Sequence, residues 1–157
     1  MGFNIVLVEP EIPTNTGNIG RLSLASGSTL HLIEPLGFEI TDTRLKRAGL
    51  DYWQHLQVRT YPSLENFMEV HENARFAFLS SKGSKPHYDI EYEAGMFLIF
   101  GKESKGLPAA LLAQYPDQLY QIPILSEHIR SLNLANAVSI VVYDGLRNLQ
   151  QLVTNAQ

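Results

Sequence analysis

The 157-residue chain has no cysteine. Disulfides, thiolate nucleophiles and cysteine-based zinc sites are therefore excluded. It also lacks long apolar runs. None approaches the roughly 18 residues needed to span a membrane. Met1-Gly2-Phe3-Asn4-Ile5-Val6-Leu7-Val8 has no basic leader and gives way to Glu9 and Pro10, so it reads as a strand rather than a signal peptide. A soluble cytoplasmic protein is expected. Charged residues are sparse, at 18%, and the net charge of −4 runs against nucleic-acid binding. That objection is limited, because a local cluster of cations can neutralise phosphates while the rest of the surface stays acidic. Internal repeats, low-complexity tracts and linkers are absent as well, and one domain over residues 1–157 is expected.

What the sequence does contain is alternation. Strands are expected at Asn4–Val8, Thr29–Ile33, Gln57–Tyr61, Arg75–Leu79, Met96–Phe100 and Leu119–Ile122. Ile5–Val8, Phe76–Leu79 and Phe97–Phe100 are continuously apolar, as strands buried on both faces must be. Helices are expected at Gly17–Ser26, at Leu64–Glu72 capped by Ser63, and at Pro108–Ala113 with proline first. The longest spans about Asn133–Leu152, where Leu134, Val138, Val141, Leu149 and Leu152 mark one face. Strands alternating with helices predict an α/β fold with a mostly parallel sheet.

In such folds ligands bind beyond the carboxyl ends of the strands. Of the twelve basic residues, Arg21, Lys82, Lys85, Lys102, Lys105 and Arg130 fall in the segments following strands, and Arg44, Lys46 and Arg47 form a separate cluster. Several familiar chemistries do not fit these segments. Gly101-x-x-x-x-Gly106 has the spacing of a phosphate loop, but Leu107 and Pro108 stand where Lys and Ser/Thr are required. Gly17-x-x-Gly20 lacks the three-glycine dinucleotide fingerprint. The five histidines are scattered without metal-ligand spacing, and no Gly-x-Ser-x-Gly elbow occurs. No metal is expected.

The remaining candidates are polar groups, each with a plainer alternative. Asn15 or Thr16 could simply cap a helix, with Arg21 solvated on it; yet the stretch Glu9–Arg21 after the first strand holds two prolines and two glycines, which suits a required backbone shape. Glu103 is either a functional carboxylate or a surface charge in a turn. Ser131 or Asn133 caps the last helix, which does not preclude ligand contact. Arg44, Lys46 and Arg47 are either a phosphate contact or an exposed helix face.

Together, Asn15-Thr16-Gly17-Asn18-Ile19-Gly20-Arg21, Phe100-Gly101-Lys102-Glu103-Ser104-Lys105-Gly106-Leu107-Pro108, and Ile122-Pro123-Ile124 with Arg130-Ser131-Leu132-Asn133-Leu134-Ala135-Asn136-Ala137-Val138 resemble, in order and spacing, the three signature motifs of the SPOUT (SpoU/TrmH-like) RNA 2′-O-methyltransferases. Glu9-Pro10-Glu11-Ile12-Pro13 and Arg44 through Tyr52 resemble the minimal TrmL type, whose members methylate the wobble ribose, on cytidine or carboxymethylaminomethyl-uridine, of tRNA-Leu. Two features depart from that type. Leu125 through Ile129 runs a residue longer, and Asp144 stands where glutamate is common.

The resemblance implies a trefoil knot over about residues 75–152 and a homodimer with composite sites. It implies S-adenosylmethionine as donor and S-adenosylhomocysteine as product. Leu79, Gly101, Ile122, Ile124, Ser131, Leu132 and Leu134 would surround the adenosine. Arg21, Asn15, Glu103, Ser131 and Asn133 would serve catalysis, and Arg44, Lys46, Arg47 and Arg130 would contact tRNA. A non-catalytic RNA-binding module keeping the same fold is the main rival, and the retained Asn15, Arg21 and Glu103 argue against it.

Overall fold

A computed structural model describes residues 2–41, 43 and 52–156, with side chains through 150. Its strands are β1 (Asn4–Val8), β2 (Thr29–Ile33), β3 (Val58–Tyr61), β4 (Phe76–Leu79), β5 (Lys85–Pro86), β6 (Phe97–Phe100) and β7 (Leu119–Gln121). They form one sheet in the order β3-β2-β1-β6-β4-β7-β5, and every pairing is parallel. Among the described residues the α-helices are α1 (Pro13–Ala25), α2 (Leu64–Val70), α3 (Ala109–Gln114) and α4 (Leu134–Ala156). None is long and apolar enough to cross a membrane.

The continuously apolar strands are explained by their two faces. Ile5, Leu7, Leu30, Leu32, Leu98 and Phe100 join Ile19 of α1 and Val138, Val141 and Val142 of α4 in one core. Val6, Val8, Ile33, Phe76, Phe78, Phe97 and Ile99 join Phe67 of α2 and Leu111 and Leu112 of α3 in the other. Successive side chains point to opposite faces, so a strand covered on both sides must be apolar throughout. Each such side chain contributes about 1.5–3 kcal/mol when fully buried, so packing rather than helix propensity holds the short α2 and α3 in place.

Most strand ends lie within one residue of expectation. The two-residue β5 was not anticipated: it pairs Lys85 with Tyr120 and Pro86 with Gln121 at the sheet edge, where proline is tolerated. Helix α3 begins at Ala109 with Pro108 as its cap residue rather than its first residue. Helix α4 continues to Ala156, past the expected end at Leu152.

The largest correction concerns α1, which starts at Pro13 instead of Gly17. Asn15 and Thr16 do not cap it but lie buried inside its first turns. Pro13 suits a first helical position. The acceptor for the free N–H of the cap residue, Ile12, comes from Glu103, a residue distant in sequence that local patterns cannot reveal.

One polar chain crosses the second core. His31, 1% exposed, sits between Asn4 and Tyr61, with Nε2 2.8 Å from Asn4 Oδ1 and Nδ1 2.8 Å from the Tyr61 hydroxyl. The tautomer that satisfies all partners has Nε2–H donating to Asn4 and Tyr61 donating to Nδ1. His71 Nε2, 3.0 Å away, then donates to the Tyr61 oxygen. Burial, followed by the nearby His71 and Arg59, pushes the His31 pKa down to about 4. Burial likewise lowers that of His71. The unfolded chain therefore takes up protons near pH 6.5 that the folded chain refuses, and stability present above that pH is lost as pH falls toward 4. The expected loss from His31 is on the order of 3 kcal/mol over that window. In urea unfolding between pH 7.5 and 4.5, His31→Asn should flatten the decline; a decline as steep as in the unsubstituted protein would contradict this origin.

Candidate active site

The carboxyl ends of β4, β6 and β7 open onto a cavity of about 610 Å³, a size suited to a small-molecule ligand. Leu79 ends β4 and Phe100 ends β6, and both line it. Leu107, Leu112, Ile122, Ile124, Leu132, Leu134 and Ala137 supply further apolar wall. Lys82, Lys105 and Arg130 border the same cavity from exposed positions. Lys102 also lines it and pairs with Glu9 at 3.4 Å. The cations anticipated beyond the strands are thus partly gathered here, despite the acidic net charge.

The loop after β6 is shaped by two glycines. Gly106 adopts φ 66°, the left-handed region that side chains avoid. Its N–H donates to the Lys102 carbonyl at 3.0 Å, closing a tight turn. A Cβ on Gly101 would run into the backbone of Gly106 and Leu107, so only glycine lets this loop fold back against itself.

Glu103 projects from that loop toward the start of α1. Its Oε2 accepts the backbone N–H groups of Glu11 at 2.8 Å and Ile12 at 3.2 Å. It thereby supplies the negative charge and the acceptor that a helix N-terminus lacks. Its other oxygen, Oε1, is buried without a protein partner.

At the start of α4, Asn133 Oδ1 accepts from the N–H groups of Ala135 at 2.9 Å and Asn136 at 3.3 Å, which makes Asn133 the cap. Its side-chain amide donates to Asn15 Oδ1 at 3.0 Å, joining α4 to α1.

The structure therefore brings Leu79, Gly101, Glu103, Ile122, Ile124, Arg130, Ser131, Leu132, Asn133 and Leu134 around one cavity. Asn15 reaches it only through Asn133. Arg21 does not line it: the guanidinium is exposed and lies over the Tyr52 ring, 4.7 Å from its centre. Arg44, Lys46 and Arg47 lie outside the described residues. Lys85 rests over the Tyr120 ring, 5.9 Å from its centre, rather than on the cavity wall. Among the described residues no group of three His, Asp or Glu side chains could hold a metal. Sequence reasoning missed Glu11 and Ser104. The Glu11 carboxylate accepts from the Ser104 amide at 2.9 Å and its hydroxyl at 2.7 Å, a contact between residues too far apart for any periodicity to signal.

The profile of the SpoU rRNA Methylase family matches residues 2–143, most of the chain. The chain belongs to the SpoU methylase family. Within it, this SpoU methylase is 48% identical to the tRNA (cytidine(34)-2′-O)-methyltransferase of Aeromonas hydrophila, over 94% of each chain. It is 47% identical to the protein of the same name from Escherichia coli K12, again over 94% of each chain. A solved structure concerned with 2-OH methylation of C/U34 on tRNA superposes with TM-score 0.90 at 42% identity, over 95% of this chain and 97% of that one. A SpoU methyltransferase from Streptomyces viridochromogenes, in complex with AdoMet, shares the fold at TM-score 0.82 and 23% identity, over 92% of this chain and 57% of the other.

Gly101→Ala is the sharpest test of the cavity wall. An overpacked contact costs about 1–3 kcal/mol of folding stability, so the melting temperature should fall by several degrees. An unchanged melting temperature would show that the loop after β6 does not need the close approach at Gly101.

Proposed function

We propose that this protein transfers a methyl group from S-adenosylmethionine to the ribose 2′-hydroxyl of the wobble nucleotide of tRNA-Leu, cytidine or carboxymethylaminomethyl-uridine, and releases S-adenosylhomocysteine. The carrying observation is the single cavity into which three distant segments converge, at residues 79–82, 101–107 and 121–134. The names of the two bacterial relatives support the substrate, and the AdoMet complex of the Streptomyces viridochromogenes protein supports the donor.

The residues present fit that donor. Ile122, Ile124, Leu132 and Leu134 provide an apolar slot for a purine. Gly101 allows close backbone approach. Glu103 Oε1, buried without a partner, remains free to accept a hydrogen bond from a ligand. When bound, the donor supplies an electrophilic methyl carbon, so the chain needs neither a metal nor a covalent nucleophile.

What this chain must do is align the 2′-oxygen with that carbon and ease loss of its proton. Arg21 is assigned to clamping the ribose and the neighbouring phosphate. A guanidinium does not deprotonate in proteins, so it acts as a clamp and not as a base. Asn15, Ser131 and Asn133 position the ribose and the donor, with Asn15 tied to the cavity through its bond to Asn133. Arg130 borders the cavity from an exposed position and serves as a phosphate contact, with Arg44, Lys46 and Arg47 assigned the same work.

Arg21 lies outside the wall of its own cavity, which supports a homodimer in which each copy's Arg21 serves the other's donor site. Ile140 and Tyr143 on α4 and Leu24 on α1 are large apolar side chains left 36–48% exposed, as a dimer interface would require. We assign the chain to one domain over residues 1–157, with a trefoil knot across 75–152, working in the cytoplasm where tRNA is processed. The match to the C/U34 methylation structure over nearly its full length supports the single domain.

Mass mapping of tRNA from cells lacking the protein tests the whole reading: the wobble 2′-O-methyl of tRNA-Leu should vanish. With purified protein, Arg21→Ala should keep its affinity for S-adenosylhomocysteine and lose methylation by about two orders of magnitude, the scale of a lost positioning group. Near-normal turnover would remove Arg21 from its role.

A further inference from the structure

We propose that Glu11 is a positioning residue for methyl transfer, clasping Ser104 so that the cavity-lining loop 101–107 and the helix bearing Asn15, which is bonded to Asn133 at the cavity, hold one fixed geometry. The proposal rests on the methyltransferase reading and adds a residue to its machinery.

The loops after β1 and β6 exchange carboxylates. Glu103, from the second loop, takes the backbone N–H groups of Glu11 and Ile12 in the first. Glu11 reaches the opposite way and takes both the amide and the hydroxyl of Ser104, at 2.9 and 2.7 Å. Beside them, Lys102 pairs with Glu9 at 3.4 Å. Glu9 itself holds φ 52°, a left-handed conformation that a non-glycine residue keeps only where its surroundings impose it. The Ser104 hydroxyl and amide hold the Glu11 carboxyl below its usual pKa, so it is ionised at neutral pH.

These contacts are not needed to build the sheet. Strands β1 and β6 already pair in register, with Leu7 opposite Phe100. The clasp acts only beyond the strand ends, where Ser104 lines the cavity and the chain turns into α1. Its bonds lie at exposed positions, where water competes and the net gain in stability is small. Loop geometry is another matter, since misplacement by about 1 Å can cost on the order of a hundredfold in rate.

The test compares unsubstituted protein, Glu11→Ala and Glu11→Gln for tRNA methylation, affinity for S-adenosylhomocysteine and melting temperature. Glu11→Ala should lower kcat about tenfold or more and weaken S-adenosylhomocysteine several-fold, while KM for tRNA and melting temperature stay near those of the parent. Glu11→Gln should restore most of both losses, because its carboxamide oxygen still accepts from Ser104. Parental kcat and affinity in Glu11→Ala would overturn the proposal, as would losses that glutamine fails to restore. Should even the parent protein methylate no tRNA, the functional reading falls, and the affinities alone decide the clasp. Weakening by alanine with rescue by glutamine supports it, and equal affinities overturn it.

Discussion

The carboxylate of Glu103, resting on the backbone N–H groups of Glu11 and Ile12, is the contact from which the site's geometry follows. It fixes where α1 begins, because an uncapped helix end leaves donors that need an acceptor. It also fixes the loop after β6, which Gly101 and Gly106 allow to fold tightly but do not by themselves aim. Once α1 is placed, Asn15 meets Asn133, and Asn133 in turn caps α4. Three segments separated by dozens of residues are thus tied by a few polar bonds at one end of the sheet.

The layered core explains why those bonds can be so few. Both faces of the sheet are filled, one against α1 and α4 and the other against α2 and α3. This packing sets strand positions and helix axes, leaving only the loops to be specified. The polar ties therefore contribute geometry more than stability, and they stand where α/β folds place their ligands. The polar chain through His31, Tyr61 and His71 crosses the second core and contributes no residue to the cavity wall.

Much of this was legible in the sequence. Continuous apolar runs gave β1, β4 and β6 nearly residue for residue, because burial on both faces leaves a strong local signal. Ser63 capping α2 was equally visible and accepts from Asn66 N–H at 3.0 Å. Most cavity-lining residues were legible by a different route, the resemblance of residues 100–108 and 122–138 to two family motifs, whereas residues 15–21, which resemble the first motif, do not line the cavity. What stayed hidden was long-range. The start of α1 was placed four residues late because its capping acceptor is supplied by Glu103. Strand β5 was invisible because two residues carry no period. Glu11 gave no local sign of its partner, Ser104. The position of Arg21 over Tyr52 could not be read from motif order either.

The central claim is that residues 79–82, 101–107 and 121–134 form a single donor site. Amide hydrogen exchange with and without S-adenosylhomocysteine tests it most directly. The account predicts that ligand slows exchange in all three segments together, at one ligand concentration dependence. Protection confined to one segment, or absent from all, would contradict it.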